Sequence, residues 1–119
     1  MSEKIDIVRS QSDKRLSRFV QYGDLVFLSG ITAGEAGSDI QSQTRKVLEK
    51  MDGFLAQAGT DKTRLLSVQI WLRDVERDIE GMNEVWNVWT DGAPTRACGE
   101  ARMADPKVLV EMIAIAARG

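Results

Sequence analysis

The sequence predicts an α+β domain, a mixed sheet of about six strands with two helices packed on one face. Three observations lead there. Apolar residues within 40–58 and 79–89 recur at steps of three and four, the period of a helix with one buried stripe. Short segments such as Leu65–Leu72 instead alternate, which is the period of a half-buried strand. The order of the segments completes the pattern: strands and a long helix, a strand and a helix, then two strands. At 119 residues the chain is one domain, 1–119, long enough to bury a core.

Residues Ile5–Val8 read as a short first strand and Gln11–Arg15 as a polar connection. Arg18–Tyr22 is a second strand, turned at Gly23-Asp24 into Leu25–Ser29, which is apolar throughout and reads as buried rather than alternating. Ser29-Gly30 ends it, and a glycine there serves a turn or a close approach of the backbone to a ligand. After a loop at Gly34–Gly37, Ser38 with Gln41 forms a capping-box pattern for the long helix. Its stripe is Ile40, Val47, Leu48, Met51, Leu55 and Ala58, and Gly59 suits its C-terminus. Gly53, inside that helix, costs about 1 kcal/mol against alanine and invites close packing on a sheet.

Leu65–Leu72 follows, with Leu66, Val68, Ile70 and Leu72 on one face. The second helix runs from about Asp78 to Trp89, with Ile79, Met82, Val85, Trp86 and Trp89 as its stripe. Asn83 lies off that stripe. Asp91-Gly92 turns the chain into two closing strands, Ala93–Met103 and the apolar run around Glu111, joined at Ala104-Asp105-Pro106. Apolar residues such as Trp71, Ile113 and Ile115 on the second sheet face point to a covering partner.

Composition removes whole classes of chemistry. The chain has no histidine, so Ser-His-Asp and Cys-His catalysis and His-ligated zinc are excluded. With one cysteine, no spaced Asp cluster and no glycine-rich phosphate motif, neither a metal nor a cofactor is expected. The formal net charge of −2, with acidic and basic residues intermixed, argues against a nucleic-acid partner. No apolar run approaches a membrane span, the first residues lack a signal-peptide layout, and a lone cysteine makes a cytoplasmic location the expectation.

The closing strands carry the candidate site. Arg96 and Cys98 are two apart and share a face of the pleat, while Glu111 sits alone in an apolar strand. A two-residue hairpin would place Cys98 opposite Glu111 and Arg96 diagonal to it, roughly 7 Å away on the same face. A structure with the two on opposite faces rules that geometry out. On that geometry Arg96 holds a small carboxylate-bearing metabolite and Glu111 orients a water, or the two side chains simply neutralise each other. Cys98, with no base nearby, reads more as a small hydrophobe than as a nucleophile.

The run P-T-R-A-C-G-E-A-R-M-A-D-P-K-V-L-V-E-M resembles the C-terminal signature of the Rid (YjgF-type, reactive intermediate deaminase) family. L-V-F-L-S-G, Q-T-R-K-V-L-E-K-M-D, L-L-S-V-Q-I-W-L-R-D and M-N-E-V-W are similar to its shorter members. The resemblance implies a chorismate-mutase-like sandwich, a homotrimer with clefts between subunits, and hydrolysis of 2-imino or enamine acids to 2-keto acids and ammonia. It further implies that Arg96 grips the substrate carboxylate and Glu111 organises the water. Ser29, Gly30, Ala97, Cys98 and Asn83 are implied as lining. Leu16 and Ile31 stand where the family more often has Tyr and Gln. The alternative is a binding protein of the same fold that holds a keto acid and turns nothing over.

Overall fold

The computed structural model describes residues 4–119, so Met1–Glu3 of the opening stretch lie outside it. Seven strands form a single sheet: β1 (Ile7–Ser10), β2 (Phe19–Tyr22), β3 (Leu25–Leu28), β4 (Ile31–Thr32), β5 (Leu65–Leu72), β6 (Thr95–Glu100) and β7 (Val110–Ala117). Two helices, α1 (Ile40–Gln57) and α2 (Val75–Trp89), lie side by side on one face. The strand order is β1-β2-β3-β7-β5-β6, with the two-residue β4 extending the β3 side of β7. That short strand accounts for seven where about six were expected. The α+β class and the one-sided helix layer are as the periodicity predicts.

The core lies between sheet and helices. Val110, Met112, Ala114 and Ala116 point into it from β7, and Val47, Leu48, Met51 and Leu55 meet them from α1. Alternation fixes the other set: Glu111, Ile113 and Ile115 face outward. Cross-strand register extends that outer row through Val20, Phe27 and Ile115. Leu25 and Phe27 are therefore 37% and 39% exposed, so β3 alternates and is not buried on both sides as its apolar run suggests. A register shift between Leu65 and Ser67 brings Leu65 into the core and leaves Leu66 outside, reversing the expectation for that end of β5.

The helix ends differ in detail from the sequence pattern. Asp39, not Ser38, caps α1, its carboxylate accepting from the Ser42 backbone N–H at 2.9 Å. Gly59 takes φ +82°, the left-handed conformation a helix exit favours. Gly53 has open space where a side chain would go, so close packing does not explain it. Asp74 starts α2 a turn earlier than the apolar stripe indicates, accepting from Arg77 N–H.

The predicted closing hairpin does not form. β7 pairs antiparallel with β5 on one side and with β3 and β4 on the other, leaving no edge for β6. β6 instead runs parallel to β5 at the end of the sheet, reached by the α2 crossover that parallel pairing requires. Residues 101–109 are consequently a loop, tied down from elsewhere in the chain. Arg73 donates to the carbonyls of Val108, Met103 and Asp105. Gln43, fully buried in α1, donates to Gly37 and Lys107 carbonyls and accepts from Leu109 N–H, each at 2.8 Å.

Candidate functional site

Arg96 belongs to an edge strand and to the helix side of the sheet. Its register partner Val68 is a core residue, so pleating sends Arg96 towards α2. There Arg96 Nη1 donates to Asn83 Oδ1 at 2.9 Å, and its guanidinium carbon lies 5.4 Å from the centre of the Trp86 ring. Asn83 and Trp86 are three apart and share one side of α2. Trp86 is itself buried, with Trp89 tilted against it at 5.5 Å. Among the described residues the remaining guanidinium N–H groups have no protein acceptor, so an exposed, oriented cation is left facing solvent.

Cys98 follows Arg96 on the same face, half-buried against the core. Burial pushes its thiol above the ordinary value, and the Arg96 charge opposes this only in part. The thiol is therefore protonated at neutral pH, in keeping with packing rather than nucleophilic work. Ala97 points to the other face, beside Gln69, and is exposed.

Glu111 occupies the outer face. It is registered with Trp71 of β5 and Thr32 of β4. Its carboxylate lies directly over Gly30: a Cβ added there would sit 2.1 Å from Oε2. This close approach, rather than a turn, is why position 30 has no side chain. Ser29 donates its hydroxyl to the Ser17 carbonyl, and Arg18 Nη1 reaches the Gly30 carbonyl at 3.5 Å, closing the backbone around that corner. Leu16, 43% exposed, precedes Ser17 in the same loop, whereas Ile31 is buried in the core and points away. Glu111 forms no ion pair among the described residues.

Arg96 and Glu111 are thus on opposite faces of the sheet and two strands apart, with β5 between them. Strand geometry puts their Cα atoms roughly 14 Å apart. The same-face diagonal expected from a hairpin is overturned, because the edge it needed is occupied by β5. The self-neutralising pair is excluded within one chain for the same reason. What the fold brings together is two separate groups of candidate residues: Arg96 with Asn83 and Trp86, and Glu111 with Gly30, which Ser29 precedes.

Two contributors were not foreseen as such. Trp86 supports the guanidinium as well as the core, and the three-residue step from Asn83 was the available signal. Glu100, at the end of β6, accepts from Val75 N–H and helps cap α2. A separate groove of about 530 Å³ runs between α1 and α2, lined by Leu48, Val85, Val88 and Trp89 among others, and contains none of the predicted site residues.

Comparison with known proteins bears on this arrangement. The family model described as endoribonuclease L-PSP matches residues 7–118. A RutC family protein of Haemophilus ducreyi is 34% identical over 113 residues, covering 93% of this chain and 96% of its own. The RutC family protein YoaB of Escherichia coli is 30% identical, covering 93% and 97%. Among solved structures, NMB1025 of Neisseria meningitidis, a member of the YjgF protein family, superposes with a TM-score of 0.93 at 38% identity over 98% of each chain.

Proposed function

This chain belongs to the endoribonuclease L-PSP family, the YjgF- or Rid-type proteins, and from that premise we propose that it hydrolyses 2-imino or enamine acids to 2-keto acids and ammonia. The observation that carries the reading is the oriented Arg96 cation, held by Asn83 and Trp86 with its other N–H groups free. A planar fork of this kind matches a carboxylate in two hydrogen bonds.

The water-handling half comes from a second copy. Glu111 cannot reach a ligand on Arg96 of its own chain, but it stands on a sheet face rich in uncovered apolar groups, among them Tyr22, Leu25 and Phe27. Covering that face with further copies, as a homotrimer, places Glu111 and Gly30 of one chain across a cleft from Arg96 of the next. There Glu111 accepts a proton from water as its oxygen attacks the C=N carbon, and the C=N electron pair moves to nitrogen. Glu111 returns the proton to that nitrogen, then takes the carbinolamine's hydroxyl proton as the C=O bond forms and the C–N bond breaks. Ammonia and the 2-keto acid leave, and Glu111 releases that proton to the ammonia or to solvent. Protonated imines hydrolyse readily, so positioning and modest acid–base help suffice without histidine or metal.

A binding role without turnover has one observation in its favour: the Arg96 half-site is assembled within a single chain, whereas the Glu111 half is remote. An amino-acid oxidase generating a 2-imino acid in situ, with keto-acid release followed with and without the protein, separates the two. Arg96→Ala is expected to abolish the acceleration at near-native stability. Undiminished activity in that variant would overturn the assignment.

A further inference from the structure

We infer that Asn83 is a positioning residue that fixes the Arg96 guanidinium while leaving its full charge for the ligand, a conclusion that rests on the carboxylate-binding role of Arg96. A guanidinium offers only donors, so the Asn83 group that meets Nη1 at 2.9 Å is its amide oxygen, a neutral acceptor. Below the guanidinium, the Trp86 ring is the second neutral partner. With Nη1 engaged, the parallel Nε–H and Nη2–H pair remains as the bidentate edge. The ligand class this edge takes is a planar carboxylate rather than a lone carbonyl.

Neutrality of the two supports is the decisive feature. An aspartate at position 83 has nearly the same shape and accepts the same hydrogen bond. It would nonetheless pair with the guanidinium and compete with the incoming anion. An asparagine orients the cation without cancelling it. Its location on the helix is equally apt: Met82 and Trp86 flank it and are buried, so the backbone beneath Asn83 is held by the core. The Arg96 side chain has four rotatable bonds, and two contacts from one rigid helix remove much of that freedom before a ligand arrives.

Two measurements test this in the full-length protein. Pyruvate binding, followed by calorimetry, should weaken about five- to tenfold in Asn83→Ala and further in Asn83→Asp, with melting temperatures near the parent value. A purely structural asparagine predicts the reverse order, because aspartate keeps the hydrogen bond. Nuclear magnetic resonance of the Arg96 guanidinium reads positioning without any ligand. Its rotation about Nε–Cζ should be hindered in the parent and free in Asn83→Ala. Asn83→Asp binding pyruvate as tightly as the parent would overturn the inference. So would freely rotating Arg96 nitrogens in the parent. If the parent binds no pyruvate but its Arg96 is hindered and Asn83→Ala frees it, positioning stands and the carboxylate-anchor reading is what fails.

Discussion

Replacing Gly30 by alanine tests the Glu111 half-site with the smallest possible change. The added methyl would lie 2.1 Å from Glu111 Oε2, 3.0 Å from its carboxyl carbon and 3.4 Å from Cγ. Ordinary contact needs about 3.4 Å or more, so the carboxylate must retreat by more than an ångström. All three clashing atoms belong to the end of a flexible side chain that makes no ion pair among the described residues. Stability should therefore fall little, by less than about 1 kcal/mol, since no core atom has to move. Catalysis should suffer far more, because a displacement of about 1 Å costs on the order of a hundredfold when the displaced group positions the reacting water. The assay is keto-acid release from an imino acid generated by an amino-acid oxidase, run beside thermal melts. Activity within twofold of the parent, with Glu111 shown to have moved, would refute the role given to this carboxylate. A loss of several kcal/mol would refute the claim that the clash is confined to one side chain.

Gln43→Ala should lower stability by about 3 kcal/mol in chemical denaturation, because it strands two carbonyls and one N–H that the buried amide now satisfies. If the proposed homotrimer forms over the uncovered face, Phe27→Asp should yield monomers in light scattering and abolish the proposed turnover while leaving each chain folded, since Phe27 lies on that face and outside the core. Asp39→Asn should keep the α1 cap but change the response to acid. Hydrogen bonds, the Ser42 backbone N–H foremost, hold the Asp39 carboxyl below its ordinary value of 3.8. Its folded-state stabilisation is therefore present above pH 3.8 and is lost as pH falls through the lower folded value. The parent's advantage over Asn in thermal melts should accordingly be present at pH 7 and vanish in strong acid.

Much of the fold was legible because it rests on local repetition. The stripes of α1 and α2, the left-handed exit at Gly59 and the apolar face of β7 follow from side-chain spacing along the chain. The outer row of Phe27, Ile113 and Ile115 was legible in part, since alternation in β7 implied it, while the unbroken apolar run of β3 concealed its share. Errors arose where neighbours in space outranked neighbours in sequence. Leu65 and Leu66 exchanged places through a register shift no local pattern announces. The loop at 101–109 looked like a tight turn because the residues that hold it, Arg73 and Gln43, are about 30 and 65 positions away.

The same division runs through the candidate site. The residues themselves singled out Arg96, Glu111 and Gly30, since a fork-shaped cation, a lone carboxylate in an apolar strand and a strand-end glycine each stand out chemically, whereas Asn83 entered only through the family resemblance. The sequence also excluded histidine and thereby most alternative chemistry. Which of these residues meet was decided only by the tertiary structure. β7 has two edges, and β3 with β4 takes one while β5 takes the other, so β6 and its arginine are exiled to the end of the sheet. Strand pairing is a competition among all segments for a fixed number of hydrogen-bonding edges, and its outcome is not written in any one of them. That competition put Arg96 beside Asn83 and Trp86, put Glu111 over Gly30 on the opposite face, and so left the two groups of candidate residues facing different ways.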